Sequence, residues 1–449
     1  MNKHSYKLVF SKKHGMLVAA SEIAQSHSKE PSSGTQGGGA PSGRAVRVQQ
    51  GLALLLIAFQ VWQPLLADPV AITPDSAAPG NKPVVTAAGN GVPVVQIVAP
   101  NSQGVSLNQF KDYNVPTVGL ILNNSGQMTQ TQLGGYISGN PQLGNAAAST
   151  IVNQVNGNNP SQILGWQEIA GKKANLVISN PNGISINGGG FINTQNLTLT
   201  TGKPQFNNGA LSGYNVQTGQ ISVGEQGLNA KDIDKLSILS RSIQLNGQIW
   251  AQHADVITGV NTVSSDGSVS AQATDGNKPS YALDVAALGG MYAQQIRMIG
   301  TEQGLGVNNA GKLIAQDQLT LDNQGNLINS GQINSGNQST LKVQATDNSG
   351  QISALNNLKL HNTDRIANSG KITAGSVQLD GQSLNNSGQI QQTGEQSMRL
   401  SAATLSNSGT LGIIKADSTP TVDPATGTVQ VDNSKAPAET TGRSEEHTS

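Results

Sequence analysis

From about residue 309 the apolar positions recur in close pairs with one polar residue between them: Leu319/Leu321, Leu341/Val343, Leu358/Leu360, Val377/Leu379 and Met398/Leu400. Alternation of period two puts both members on one face of a strand. A polar punctuation falls between the pairs. It reads Asn309-Ala310-Gly311-Lys312-Leu313, then Asn329-Ser330-Gly331-Gln332-Ile333, and starts again at Asn348, Asn368, Asn386 and Asn407. The asparagines are 20, 19, 20, 18 and 21 residues apart. A fixed period near that length means one supersecondary unit per repeat, and Asn-x-Gly supplies a turn that tolerates positive φ. A single unit cannot bury its inner face, so units must stack on one another. Helical spacing is missing and the leucine consensus is too short for a leucine-rich repeat. The expected fold is all-β, a right-handed parallel β-helix whose coils stack at roughly 4.8 Å. Roughly 18 coils would fit the exported part, a rod of roughly 85 Å. The six turn asparagines are expected to form a polar ladder along the axis.

Upstream, strands and turns continue with a looser period. Pro93–Val98 is a first strand, and Leu107, Phe110 and Tyr113 supply apolar contacts within Asn101–Val115. Ala174–Ser179, Ile184–Asn187 and Asn196–Thr200 are strands bounded by Gly, Asn or Pro. Lys231–Leu239 has some helical spacing but reads as turn plus strand.

Composition agrees with a stack rather than compact domains. The 449 residues include 53 Gly and no Cys, with only 3% aromatic and 12% charged residues. That aromatic supply cannot anchor the two or three ordinary cores such a length suggests. Basic and acidic residues balance at 26 each, which argues against a nucleic-acid partner. The lack of cysteine excludes thiol catalysis and zinc fingers, and suits passage through an oxidising compartment.

Residues 1–67 read as an address. Lysines make the start basic, Arg44 and Arg47 precede the apolar run Leu52–Phe59, and that run is too short to span a bilayer. This is the order of a Sec signal peptide, with cleavage expected after Ala67. Its removal takes seven Lys/Arg and two Asp/Glu, leaving 19 basic against 24 acidic residues, a net charge of −5. Residues 416–442 form an irregular Pro/Thr-rich segment. Residues 443–449 break the composition and can be encoded by a sequencing adapter read in frame. The natural chain is therefore expected to run past Gly442.

Candidate chemistry is sparse. His253 and His361 have no histidine partner at metal-ligand spacing, and no Gly-x-Ser-x-Gly elbow appears. Asp232 and Asp234 would share a strand face and read as solubilising charges. Gly306 to Lys312 has phosphate-loop spacing, but Leu313 replaces the required Ser or Thr. No catalytic residue, metal or cofactor is assigned.

Two stretches carry a family resemblance. Met1-Asn2-Lys3, Tyr6–Phe10, Leu17–Glu22 and Ser26–Lys29 resemble the extended signal peptide of very large type V secreted proteins. Ser149–Val155, Asn159-Pro160-Ser161, Glu168–Gly171, Asn180-Pro181-Asn182-Gly183-Ile184 and Gly190–Thr194 resemble, in order, the secretion domain of filamentous haemagglutinin and its relatives. Its second hallmark, Asn-Pro-Asn-Leu, stands here as Asn140-Pro141-Gln142-Leu143. Where many members carry two cysteines, this chain has Asn187 and Gly190.

The resemblance implies a secretion domain over 68–310, with capping and extra-helical hairpins, and haemagglutinin-type repeats over 311–415. It implies recognition of the two Asn-Pro motifs by the periplasmic domains of an Omp85-type outer-membrane transporter. It further implies a rod that acts as an adhesin on a host or neighbouring-cell receptor. The alternative is a contact-dependent growth-inhibition toxin whose toxic domain lies further along. Read from the residues alone, Asn180–Ile184 is a tight turn: Pro fixes φ, Asn bonds the turn backbone, and Asn-Gly accepts positive φ.

Overall fold

The computed structural model describes residues 72–413 except 145 and 275–276, together with the strands Tyr6–Ser11, Met16–Ser21, Thr421–Val422 and Val429–Gln430. Two compact units are present, Met1–Leu65 and Leu66–Ser449. In the first, Tyr6–Ser11 and Met16–Ser21 pair antiparallel. The apolar run Leu52–Phe59, the cleavage position Ala67 and the tail from 443 lie outside the described residues.

The second unit is a parallel β-helix, and no helix occurs among the described residues. Each rung carries three strand positions. One rung reads Gln167–Gly171, Ala174–Ser179 and Ile184–Ile186, and each strand pairs in parallel with its counterparts in the rungs before and after. The third position forms an 11-stranded sheet from Ser161–Ile163 to Thr404–Asn407. Downstream, the first two positions fuse into single bent strands such as Lys312–Asn323 and Gln351–Asn362. The stack is continuous through residue 310, because Gly290–Gly300 pairs directly with Lys312–Asn323.

Period-two alternation is realised as written in the sequence. Leu319, Leu321, Leu341, Leu358, Leu360, Val377 and Leu379 all point inward and are buried. Aromatic packing in the main core is confined to the first rungs, where Phe110 and Tyr113 meet edge to face at 5.0 Å. Beyond them the core is a column mostly of stacked Ile, Leu and Val, joined by Phe191, Met291, Met298 and a few alanines, so each rung is covered chiefly by its neighbours.

There are about 12 turns rather than 18. Three segments leave the stack and consume chain without adding rungs. The first holds a hairpin, Thr129–Thr131 against Gly135–Ile137. The other two supply a four-stranded antiparallel sheet, Lys203–Asn207, Ala210–Val216, Asn261–Ser264 and Val269–Ala271. At about 4.8 Å per rung the stack is roughly 55 Å long. The four-stranded sheet lies on the outside of the helix, where Tyr214, Val216 and Val263 cover the outward-facing Val152, Val177, Leu239 and Ile257. It is pinned by ions. Arg241 makes a bidentate pair with Glu302 (2.9 and 3.2 Å) and donates to Thr274 Oγ1. Arg297 joins Asp255 (2.7 Å) and donates to Gly267 O.

The upstream readings hold: Pro93–Gln96, Val105–Asp112, Ala174–Ser179 and Thr194–Thr200 are strands. Lys235–Ser240 is a strand preceded by a turn. Asp232 and Asp234 belong to that turn, exposed on either side of buried Ile233, and so do not share a strand face.

Candidate functional site

The turn Asn180–Ile184 joins the second and third strands of one rung and stitches three rungs together. Pro181 fixes its own φ and has no N–H to satisfy. Asn180 is fully buried. Its Oδ1 accepts the Asn182 N–H (3.0 Å) and its carbonyl accepts the Gly183 N–H (3.0 Å), which closes the turn. Its Nδ2 donates to Asn159 O (2.9 Å) and Ser161 Oγ (3.0 Å) in the preceding rung. Its backbone N–H donates to Thr200 O (2.9 Å) in the following rung. Gly183 has φ 118°, and a Cβ there would stand 2.9 Å from Gln220 O. Ile184 is buried in the core. Asn182 is exposed and spans back to Gly157 O at 2.7 Å. Asn182 itself keeps ordinary φ, so only the glycine of the Asn-Gly pair uses the left-handed region.

The turn Asn140–Leu143 is built the same way. Asn140 is buried and its Oδ1 accepts the Gln142 N–H (2.9 Å). Its Nδ2 donates to Ile97 O (2.8 Å) and Asn123 O (2.9 Å), and its N–H to Ser125 O (2.7 Å). Leu143 is buried in the main core, and Pro141 is exposed. The departure at Gln142 leaves turn closure intact, because the backbone N–H, not the side chain, meets Asn140. The longer amide reaches Gln96 O at 3.0 Å. Each turn therefore has a buried first Asn that holds rungs together, and a more exposed third residue that bonds a carbonyl on a neighbouring segment. Among the described residues no hydrogen bond joins the two turns; each is anchored in its own rungs.

The six repeat asparagines form the expected ladder. Nδ2 of Asn309, Asn329, Asn348, Asn368 and Asn386 each donates at 2.7 Å to Oδ1 of the next member, ending on Asn407. The first five are buried and Asn407 is exposed. The ladder begins at Asn309 because the preceding rung presents Val285 in register, which leaves Asn309 Oδ1 buried without a partner among the described residues.

The glycines of these turns do not use that tolerance of positive φ. Gly331, Gly350, Gly370, Gly388 and Gly409 do not have positive φ. They are glycines because a Cβ on each would lie 2.1 Å from the carbonyl oxygen of the corresponding glycine one rung earlier. Backbone meets backbone at this corner, and no side chain fits.

A second polar ladder escaped the sequence reading. Gln295 Nε2 donates to Asp317 Oδ2, Asn337 Nδ2 to Asp317 Oδ1, and Asn356 Nδ2 to Asn337 Oδ1. Its spacing follows the same period, but its mixed residue types hid it. Lys312 stands in one register column with Gln332, Gln351 and Lys371, as a repeat position does. Among the described residues no cluster of three or more His, Asp or Glu is placed to hold a metal. His253 Nδ1 lies 2.9 Å from Asp234 O.

Comparison with known proteins gives the geometry its family. Residues 70–329 match "TPS secretion domain", and residues 1–51 match "Extended Signal Peptide of Type V secretion system". The chain is 43% identical over 317 residues to "Toxin CdiA" of Yersinia pestis, covering 70% of this chain and 10% of that protein. It is 47% identical over 264 residues to "16S rRNA endonuclease CdiA" of Enterobacter cloacae, covering 58% of this chain and 8% of that protein. It thus spans about a tenth of the length of these curated relatives. The crystal structure of a filamentous haemagglutinin secretion domain superposes with a TM-score of 0.57 at 32% identity, over 65% of this chain and 97% of that one. A signal peptide and secretion domain of this type direct a chain through Sec and across the outer membrane of a Gram-negative cell, with a dedicated outer-membrane transporter as partner. The chain belongs to the two-partner-secretion exoproteins of the filamentous haemagglutinin family.

Proposed function

We propose that this chain is the transporter-addressed front end and rod of an exoprotein that works when its cell touches another. The observation that carries this is the uninterrupted stack from the secretion domain into the Asn-ladder rungs. Such a stack grows by adding identical interfaces and so holds whatever follows it away from the cell. The two Asn-Pro turns are the parts addressed to the transporter's periplasmic domains. The rod is non-catalytic, and any enzymatic activity belongs to a different segment.

Two readings of the contact follow. A haemagglutinin-like adhesin, binding a receptor on a host or neighbouring cell, is supported by the match to the haemagglutinin secretion domain. Contact-dependent growth inhibition is favoured by the relatives, which carry toxin and nuclease names. Producing cells, and cells deleted for the gene, are mixed with a marked target strain on a surface. Loss of target viability that needs contact supports toxin delivery. Attachment without killing supports the adhesin. If deletion changes neither, both readings fail.

A further inference from the structure

Outward-facing residues of this β-helix are buried where an element outside the stack lies on them. Val152, Val177, Leu239 and Ile257 are buried beneath the four-stranded sheet. Val94, Ile121 and Ala170 are buried against Ile137 of the first hairpin. A third buried outer patch lies on later rungs. Ile314, Asn334, Ser353 and Thr373 stand in one register column over four successive rungs. Flanking residues such as Ile333, Ile352, Ala354 and Ala374 point into the core, so period-two alternation turns the column outward. Yet its members are only 3, 0, 1 and 8% exposed. The outward residues at the second strand position of the same rungs, Thr320, Thr340, Lys359 and Gln378, are half-buried or exposed. Position on a rung alone therefore does not bury the column.

One element outside the stack reaches these rungs. Val429–Gln430 pairs antiparallel with Thr421–Val422 and lies against Gln351–Asn362. That long strand carries Ser353 near one end and Lys359 and His361 near the other, and the latter two are exposed. The paired strands therefore sit at the Ser353 end, the middle of the buried column. The chemistry agrees. Pro424 and Gly427 punctuate the sequence between the two strands. Thr421, Val422 and Val429 are β-branched and suit a pleated, half-buried surface. Neither the strands nor the column carries a charge. The fit has one flaw: Asn334 Nδ2 and Thr373 Oγ1 are buried with no hydrogen-bond partner among the described residues. Covering them costs their desolvation and returns no bond.

We propose that the column Ile314, Asn334, Ser353 and Thr373 is a docking face for this chain's own segment 421–430, which closes over it as a reversible strap. Burial of apolar surface favours the closed form, and the two unmet polar atoms oppose it. In the open form the amide of Asn334 and the hydroxyl of Thr373 meet water. The strap thus differs from the four-stranded sheet, which is pinned by Arg241 with Glu302 and by Arg297 with Asp255. Here neither the paired strands nor the face has a charge to make such a pin. The balance lets the segment that follows the rungs be held against the rod or let go. It needs neither the adhesin nor the toxin reading.

The test uses the full chain. It has no cysteine, so a single introduced cysteine reports its own exposure through its rate of maleimide labelling. Thr373→Cys gives up no hydrogen bond, because Oγ1 has no partner. Lys359→Cys reports the exposed end of the long strand, and Ala354→Cys, inward and buried, reports opening of the rungs themselves. Val422→Pro with Val429→Pro breaks the pairing of the strap strands. Thr373→Cys should then label about tenfold faster or more, while Lys359→Cys is unchanged and Ala354→Cys stays unreactive. Thr373→Val removes the unmet hydroxyl. With Ser353→Cys as reporter it should slow labelling about tenfold, in the lower part of what an orphaned buried polar group costs. A short bismaleimide should join Thr373→Cys to Gln430→Cys within one chain. Equal labelling of Thr373→Cys with and without the prolines overturns the proposal. So does Ala354→Cys becoming reactive along with it, because the rungs rather than a strap would then be opening. Labelling that Thr373→Val does not slow overturns the reversible strap. Protection that vanishes on dilution, or coupling only between chains, overturns it as well, because the occupant would then be a second copy.

Discussion

Replacing Asn348 by alanine isolates what the ladder contributes. Asn348 accepts from Asn329 and donates to Asn368, both at 2.7 Å. After truncation Asn329 Nδ2 still has Gln351 O at 3.2 Å. Asn368 Oδ1 has no such reserve, because Asn348 is its only donor among the described residues, and Asn368 is buried. Two lost bonds at about 1 kcal/mol each, plus an orphaned buried acceptor at about 1–3 kcal/mol, put the cost at about 3 kcal/mol or more. Asn407→Ala removes a bond of the same 2.7 Å length where water can replace it, so about 0.5–1 kcal/mol is expected. A stacked rod opens locally as well as globally, so the assay is hydrogen exchange read by mass spectrometry on the rungs themselves. The N–H groups of Ser349 and Gly350 donate to Asn329 O, and those of Ser369 and Gly370 to Asn348 O. Asn348→Ala should cut their protection about a hundredfold, since each 1.4 kcal/mol is about tenfold. Asn407→Ala should leave it nearly unchanged. Equal effects of the two substitutions, or a loss below about threefold for Asn348→Ala, would refute a ladder that stabilises through burial.

Other expectations follow from single contacts. Gly350→Ala places a Cβ 2.1 Å from Gly331 O and should cost about 3 kcal/mol or more by forcing two rungs apart. Gly135→Ala, where φ is 68° with open space around it, should cost only about 1–2 kcal/mol; denaturant unfolding of the pair separates the two reasons for glycine. Arg241→Met leaves the Glu302 carboxylate buried and unpaired and should destabilise by about 3–5 kcal/mol, with Arg241→Met/Glu302→Met recovering much of the loss; thermal melts of the three chains decide. Burial pushes the Tyr214 hydroxyl up to about 12, against a smaller opposing pull from its hydrogen bond with the Thr198 side chain. The folded form thus resists ionisation that the unfolded form undergoes near 10, so stability is intact below that pH and falls as pH rises towards 12. Limited proteolysis across that window should release the 203–216 segment first, and Tyr214→Phe should delay its release.

The repeats were legible because their signals are local. Period-two apolar pairs and a polar turn every 18 to 21 residues suffice to fix strand faces and the stacking unit, whatever the rest of the chain does. The Asn-Pro turns were legible for the same reason: proline, asparagine and glycine constrain the backbone within four residues. What only the tertiary structure decided involves residues far apart in the chain. The pairing of Arg241 with Glu302 spans 61 residues, and no local pattern marks it. The glycines of the ladder turns look like positive-φ residues in sequence, but their role is set by a carbonyl one rung away. The rung count fell from 18 to about 12 because segments that look like further strands leave the stack to cover an outer face. Whether a strand adds to the column or lies upon it depends on which neighbour offers matching backbone groups and an apolar surface, and that exists only once the chain has coiled.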